Sequence, residues 1–177
     1  KTVTPVKPKP VIDSVKALRD SVWKSQTKDK QKTEGLFTFY QDTVSGSATM
    51  YIRKDQLNKE FIYQSFSMGR PALLFLNQNM LRETWVFKMR NVYGRMEFMR
   101  CNTNYYYDST NAVSKAKDVD VSEAVFHTGA VRAEDSLGYL INADSLFISE
   151  KLDMVKPILP PSVPPTAVFN LGNLVMD

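Results

Sequence analysis

The stretch GLFTFYQDTVSGSATMYIRKDQLNKEFIYQSF, residues 35–66, decides the fold class. Its apolar side chains recur at every second position, the period of an extended strand with one buried face. Phe37 and Phe39 fall on one face, with Leu36, Thr38 and Tyr40 on the other. QDTVSG then breaks the run, with Gly46 suited to a positive φ. Ala48, Met50 and Ile52 alternate with Thr49, Tyr51 and Arg53. The two runs predict a β-hairpin with a loop of about five residues. FIYQSF, 61–66, adds a third strand.

The same period continues downstream. RETWVFKM (82–89) places Trp85, Phe87 and Met89 on one face. RMEFMR (95–100), NYYYD (104–108), EAVFHTGAVRAE (123–134) and GYLIN (138–142) read as further strands, and Gly94 as a turn. NADSLFISEKLDMV (142–155) reads as a short helix, with Asn142 or Asp144 accepting backbone N–H groups at its start. Upstream, Val11, Val15, Leu18 and Val22 form one stripe of an amphipathic helix over 11–25, entered through Pro10. The expected fold is mainly β: an antiparallel meander sheet, a sandwich or flattened barrel, with an N-terminal amphipathic helix and a short C-terminal helix covering an open face or edge.

The 177 residues fit one domain with tails. Residues 1–33 form a Pro/Lys-rich leader plus the helix, 34–156 the β domain, and 157–177 a Pro-rich linker and the start of a following segment. Prolines in KTVTPVKPKP and KPILPPSVPP hold both ends extended. A net charge of +4 is too mild for a nucleic-acid signature, and none is expected as partner. The lysines of KSQTKDKQK (24–32) read as a solvated connector. The longest apolar run, ALLFL (72–76), is far too short to span a bilayer. The chain begins at Lys1 and ends just after a spacer, which reads as a processed or excised piece of something longer.

The inventory of reactive side chains is sparse. His127 is the single histidine and Cys101 the single cysteine, so no internal disulfide forms. A zinc site needs three or four ligands, and neither H-E-x-x-H nor C-x-x-C occurs. A Cys101–His127 pair is the one nucleophile–base combination available, against the plainer reading of a core cysteine and a hydrogen-bonded strand histidine. The seven glycines are dispersed and build no phosphate cradle. Asp118, Asp120 and Glu123 in DVDVSE hint at calcium but lack the loop glycine and the later bidentate Glu. Tyr105, Tyr106 and Tyr107 cannot all face one core, so at least one points outward. With Arg95 and Arg100 they make a candidate stacking patch; in the plainer reading two straddle a sheet edge and one packs inside. No catalytic, metal or cofactor residue is assigned, and the binding residues stay open.

The blocks GLFTFYQD…SATMYIRKDQLNKEFIYQS, FKM…YGRMEFM…YYYD and AEDSLGYLINADSLFISE…KPILPP, in that order over residues 34–165, resemble one domain family. It is the uncharacterised domain near the N-terminus of large secreted zinc-dependent metallopeptidases of Gram-negative bacteria. In that family H-E-x-x-H and its zinc lie in a downstream peptidase domain, so no catalytic residue carries over and no cofactor is expected in this chain. The resemblance implies export to the periplasm, outer-membrane surface or extracellular space, with lipid anchoring through a removed N-terminus as a further expectation. It implies a non-catalytic accessory or pro-domain, whose partner is the downstream peptidase domain of the same polypeptide. In a sharper form, Cys101 or an acidic side chain reaches that domain's zinc. The alternative is an independent cell-surface recognition module that binds peptide or glycan.

Overall fold

The computed structural model describes residues 11–68, 79–105, 108, 110, 114 and 123–154. Helix α1 spans Val11–Thr27. It is followed by strands β1 (Gln31–Thr33), β2 (Thr38–Gln41), β3 (Ala48–Arg53), β4 (Glu60–Phe66), β5 (Leu81–Val92), β6 (Arg95–Arg100), β7 (Ala124–Glu134) and β8 (Gly138–Asn142). A single-turn helix α2, Asp144–Phe147, comes after them.

All pairings are antiparallel, and the sheet order is β1-β2-β3-β8-β7-β6-β5-β4. Two meanders are thus joined edge to edge. The chain leaves β3 through a 3-10 turn at Lys54–Gln56 and starts again at the far edge, in β4. From there it returns hairpin by hairpin until β8 pairs with β3, Met50 opposite Ile141. The crossing stays short because the sheet curls into a half-barrel. Phe37, just before β2, lies 5.3 Å ring to ring from Phe61 of β4. Asn58 donates its N–H to the Met89 carbonyl at 2.8 Å, and Gln56 Nε2 donates to the Leu36 carbonyl at 2.6 Å.

The core fills the hollow of this curl. Met50, Ile52, Met89, Met96, Phe98 and Ile141 are buried and share one cluster with Ala48, Ala143 and Leu146. The alternation expected for Phe37/Phe39, Ala48/Met50/Ile52 and Trp85/Phe87/Met89 holds, because the registers set Phe39 opposite Met50 and Met89 opposite Phe98. Each fully buried large side chain adds about 1.5–3 kcal/mol of apolar transfer.

Turn chemistry matches the sequence. Asp42 Oδ1 accepts the N–H groups of Val44 and Ser45 at 2.8 and 3.0 Å, and Gly46 takes φ 73° to close the β2–β3 loop. Between β5 and β6, Tyr93 (φ 48°) and Gly94 (φ 76°) both occupy the left-handed region of a two-residue hairpin turn. Asn tolerates that region better than Tyr, and Tyr93 is fully exposed. Tyr93→Asn is therefore expected to stabilise by about 0.5–1 kcal/mol, read as a raised urea midpoint. A lowered midpoint would contradict the turn assignment.

A Cβ on Gly138 would stand 2.5 Å from the Ile52 carbonyl oxygen and 2.5 Å from the Tyr51 ring. A backbone carbonyl cannot swing away as a side chain does. Gly138→Ala is expected to cost about 2 kcal/mol in chemical denaturation, the cost of forcing β3 and β8 apart. A variant with unchanged stability would show that the two strands yield freely.

Four expectations need correction. Residues 31–33, read as connector, form β1 against β2; their side chains are all exposed, so the pairing leaves no apolar period to see. Asn104 and Tyr105 lie outside any strand, because the Asn102 side chain accepts the Asn104 N–H at 3.0 Å and turns the backbone aside. The helix expected from Asn142 stops at Phe147, where Ser149 Oγ already bonds the Leu146 carbonyl at 2.9 Å. Its start follows expectation, Asn142 Oδ1 accepting the Asp144 N–H at 2.9 Å. Helix α1 docks only loosely along its stripe, Leu18 and Val22 lining an open groove against Val131–Glu134 of β7. Trp23 packs edge-on against Tyr51 at 5.5 Å, while Val15 (47%) and Leu18 (66%) stay largely exposed. Among the described residues no helix is long and apolar enough to cross a membrane.

Candidate functional site

One end of the half-barrel concentrates the polar and aromatic chemistry. Trp85 of β5 is buried under Tyr63 of β4, 4.6 Å between ring centroids, and meets Phe126 of β7 edge-on at 4.9 Å. The Arg100 guanidinium, at the end of β6, lies over the Trp85 ring at 5.4 Å. This stacking holds the planar guanidinium in place while its N–H donors remain available at the surface. Arg100 makes no ion pair with any described residue.

Two clefts share Trp85 and Arg100. The larger, about 360 Å³, is walled by Thr84 and by Asn102, Thr103 and Asn104, with Cys101 at its base. The smaller, about 160 Å³, lies between Phe126, Leu152 and Met154, with Glu83 and Lys151 at its rim. The segment after α2 is bolted across this end by a bidentate pair, Arg82 Nε and Nη2 each 2.7 Å from an Asp153 carboxylate oxygen. That pair is largely shielded from solvent and neutralises itself, which leaves Arg100 and Lys151 against Glu83 at the clefts.

His127 sits beside this site. It is buried within the sheet, opposite Phe98, with ring centroids 5.5 Å apart. Lys151 Nζ stands 2.8 Å from its Nδ1 and Ser145 Oγ 3.5 Å from its Nε2. An ammonium only donates, so Nδ1 accepts and the ring proton belongs on Nε2. In that tautomer the ring faces Ser145 as a donor and cannot take its proton; Ser145 Oγ is also 3.2 Å from the Asn142 carbonyl. Burial, reinforced by the Lys151 charge, pushes the imidazole pKa down to about 4.

The residues singled out in the sequence distribute as follows. His127 is the hydrogen-bonded strand histidine of the plainer reading, flanked by Ser145 and Lys151 rather than by Cys101. Cys101 is buried, its N–H donated to the Val86 carbonyl at 2.8 Å. Arg95 and Arg100 occupy opposite ends of β6, about 16 Å apart along the strand, too far to make one patch. Tyr105 is exposed; Tyr106, Tyr107, Asp118 and Asp120 lie outside the described residues. Glu123 pairs with Lys88 at 2.6 Å. No three His, Cys, Asp or Glu side chains converge among the described residues. The end of β6 at Arg100 matches the strand read over 95–100; Thr84 and Lys151 were not foreseen, because nothing in the local pattern tells what lies beside Thr84 or where the chain after α2 returns.

Fold and site together define a curled, open antiparallel sheet with a cationic, aromatic-backed cleft at one end. No family model, curated protein or solved structure matches the chain.

Proposed function

We propose that this chain is a non-catalytic accessory domain of a secreted zinc metallopeptidase, docking on the peptidase domain of the same polypeptide. The observation that carries the reading is the largely exposed stripe of α1. Val15 and Leu18 stay exposed, and Leu18, Arg19 and Val22 form with Val131–Glu134 of β7 an open groove of about 250 Å³. Helix and strand present apolar surface that no other described residue covers, as expected of a docking face. The sequence blocks that resemble the metallopeptidase-associated family supply the partner and the exported setting.

The test is to mix the chain with the peptidase part and follow both affinity and peptidase rate. Binding is expected, weakened at least tenfold by Leu18→Asp, a substitution at an exposed position that leaves the sheet alone. If neither affinity nor rate responds to the chain, the docking reading is lost.

The clefts around Arg100 favour a second reading, an exported recognition module for peptide or glycan. It predicts ligand binding by the isolated chain with no peptidase present.

A further inference from the structure

Strand β5 begins at Leu81, whereas the last residue of β6 with a Cα partner on it is Arg100, opposite Phe87. One more bond follows, Cys101 N–H to the Val86 carbonyl. Beyond it the chain turns away through Asn102–Asn104, and no described residue pairs with β5 on that side. Backbone direction alternates along an antiparallel strand. Since Val86 bonds toward β6, Thr84, two residues back, also presents its N–H and C=O to that side. No residue of β6 stands opposite it. The larger cleft occupies this gap, with Thr84 on one wall, Asn102, Thr103 and Asn104 on the other, and the Arg100 guanidinium at its head. The smaller cleft, lined by Phe126, Leu152 and Met154, opens on the far side of the same Arg100 and Trp85.

We infer that this gap takes an extended peptide ending in a free carboxylate, a deepening of the second reading above. Its backbone bonds to Thr84 as an added strand, its carboxylate meets Arg100, and an apolar side chain enters the smaller cleft. Three observations support this occupant. A guanidinium fixed on an indole presents parallel N–H donors that match a carboxylate's two oxygens. Arg100 has no carboxylate partner among the described residues, whereas Arg82 at the same end has Asp153. The interrupted ladder supplies main-chain hydrogen-bonding groups for strand addition, which give affinity while the side pocket gives preference. Glu83 at the rim of the smaller cleft disfavours a second acidic group there and leaves room for one apolar residue.

The experiment is an amide-resolved NMR titration of the chain with two pools of N-acetylated pentapeptides of mixed sequence. One pool carries free C-terminal carboxylates and the other C-terminal amides. The free-acid pool is expected to shift Thr84, Asn102, Asn104 and the Arg100 Nε–H, with at least tenfold tighter binding than the amidated pool. Arg100→Gln should remove that preference and Arg100→Lys restore only part of it. Asn102→Asp places a negative charge in the cleft without touching Trp85; it should weaken the acids alone, so a defect in folding cannot stand in for the result. Equal binding of the two pools overturns the carboxylate inference but leaves peptide recognition standing. Acetate binding as tightly as the peptides overturns the added strand. Neither pool shifting these signals at millimolar concentration removes the inference and the peptide half of the second reading together.

Discussion

Phe98→Ala is expected to cost the domain about 3–5 kcal/mol, the usual range for deleting a fully buried aromatic ring. Phe98 is 1% exposed and stands at the middle of a continuous run of rings. It faces Phe87 at 6.4 Å and Phe126 at 6.1 Å; Phe87 in turn meets Phe61 at 5.5 Å, and Phe61 meets Phe37. The run crosses from β7 through β6, β5 and β4 to the segment before β2, so it is the material that holds the curl. The flexible side chains of the same cluster, Met50, Met89 and Met96, can relax only partly into a cavity at its centre. Urea denaturation with a fixed m-value reads the loss directly. If the alanine variant does not fold, Phe98→Leu should still fold and lose about 1–2 kcal/mol. A loss below 1 kcal/mol in the alanine variant would show that the ring run does not support the curl.

The second large effect is a pH dependence. His127 is 3% exposed, and its pKa is lowered to about 4 by burial and by Lys151. In the unfolded chain the same imidazole titrates at about 6.5. Above that pH both states hold it neutral and there is no effect. Between the two values the unfolded chain binds a proton that the folded chain refuses, so stability falls as the pH falls. Across the window the loss is about 3 kcal/mol, and it levels off below pH 4. Protonation would also remove the acceptor that Lys151 uses. Wild type and His127→Gln should be unfolded in urea at pH 7.5 and pH 4.5. The exposed carboxylates Glu34, Asp42 and Asp55, whose pKa values are lowered, are common to both proteins and cancel in the difference. The wild type is expected to lose about 2–3 kcal/mol more than the variant. Equal losses would mean that His127 is not held neutral.

The alternation of Trp85, Phe87 and Met89 was legible because a half-buried strand writes its inner face into every second residue. So was the Tyr93–Gly94 turn, which glycine marks. β1 was not legible, since Gln31, Lys32 and Thr33 join the sheet through backbone alone. Nor was the partner of β3, because nothing local to Met50 specifies Ile141. The stripe of α1 was legible as a helix, but not how loosely it sits on β7; how far an apolar face is covered depends on where Trp23 finds Tyr51. The site was the least legible part. Arg100 was noted, but its meaning comes from Trp85 beneath it and from the unequal lengths of β5 and β6, both set by distant pairing. His127 was read as a strand histidine; Lys151 reaches it from a segment whose course is fixed by the Arg82–Asp153 pair.

The joining of β3 to β8 also bears on how the chain acquires its shape. The β1–β3 strands emerge from the ribosome before the rest of the sheet, yet the inner neighbour of β3 is the last strand of the sheet. Such long-range pairing gives a high contact order and folding on the order of milliseconds to seconds. Until β8 arrives, the open flank of β3 is a sticky template for foreign strands. A sheet whose strands appear in this order gains from an escort during synthesis.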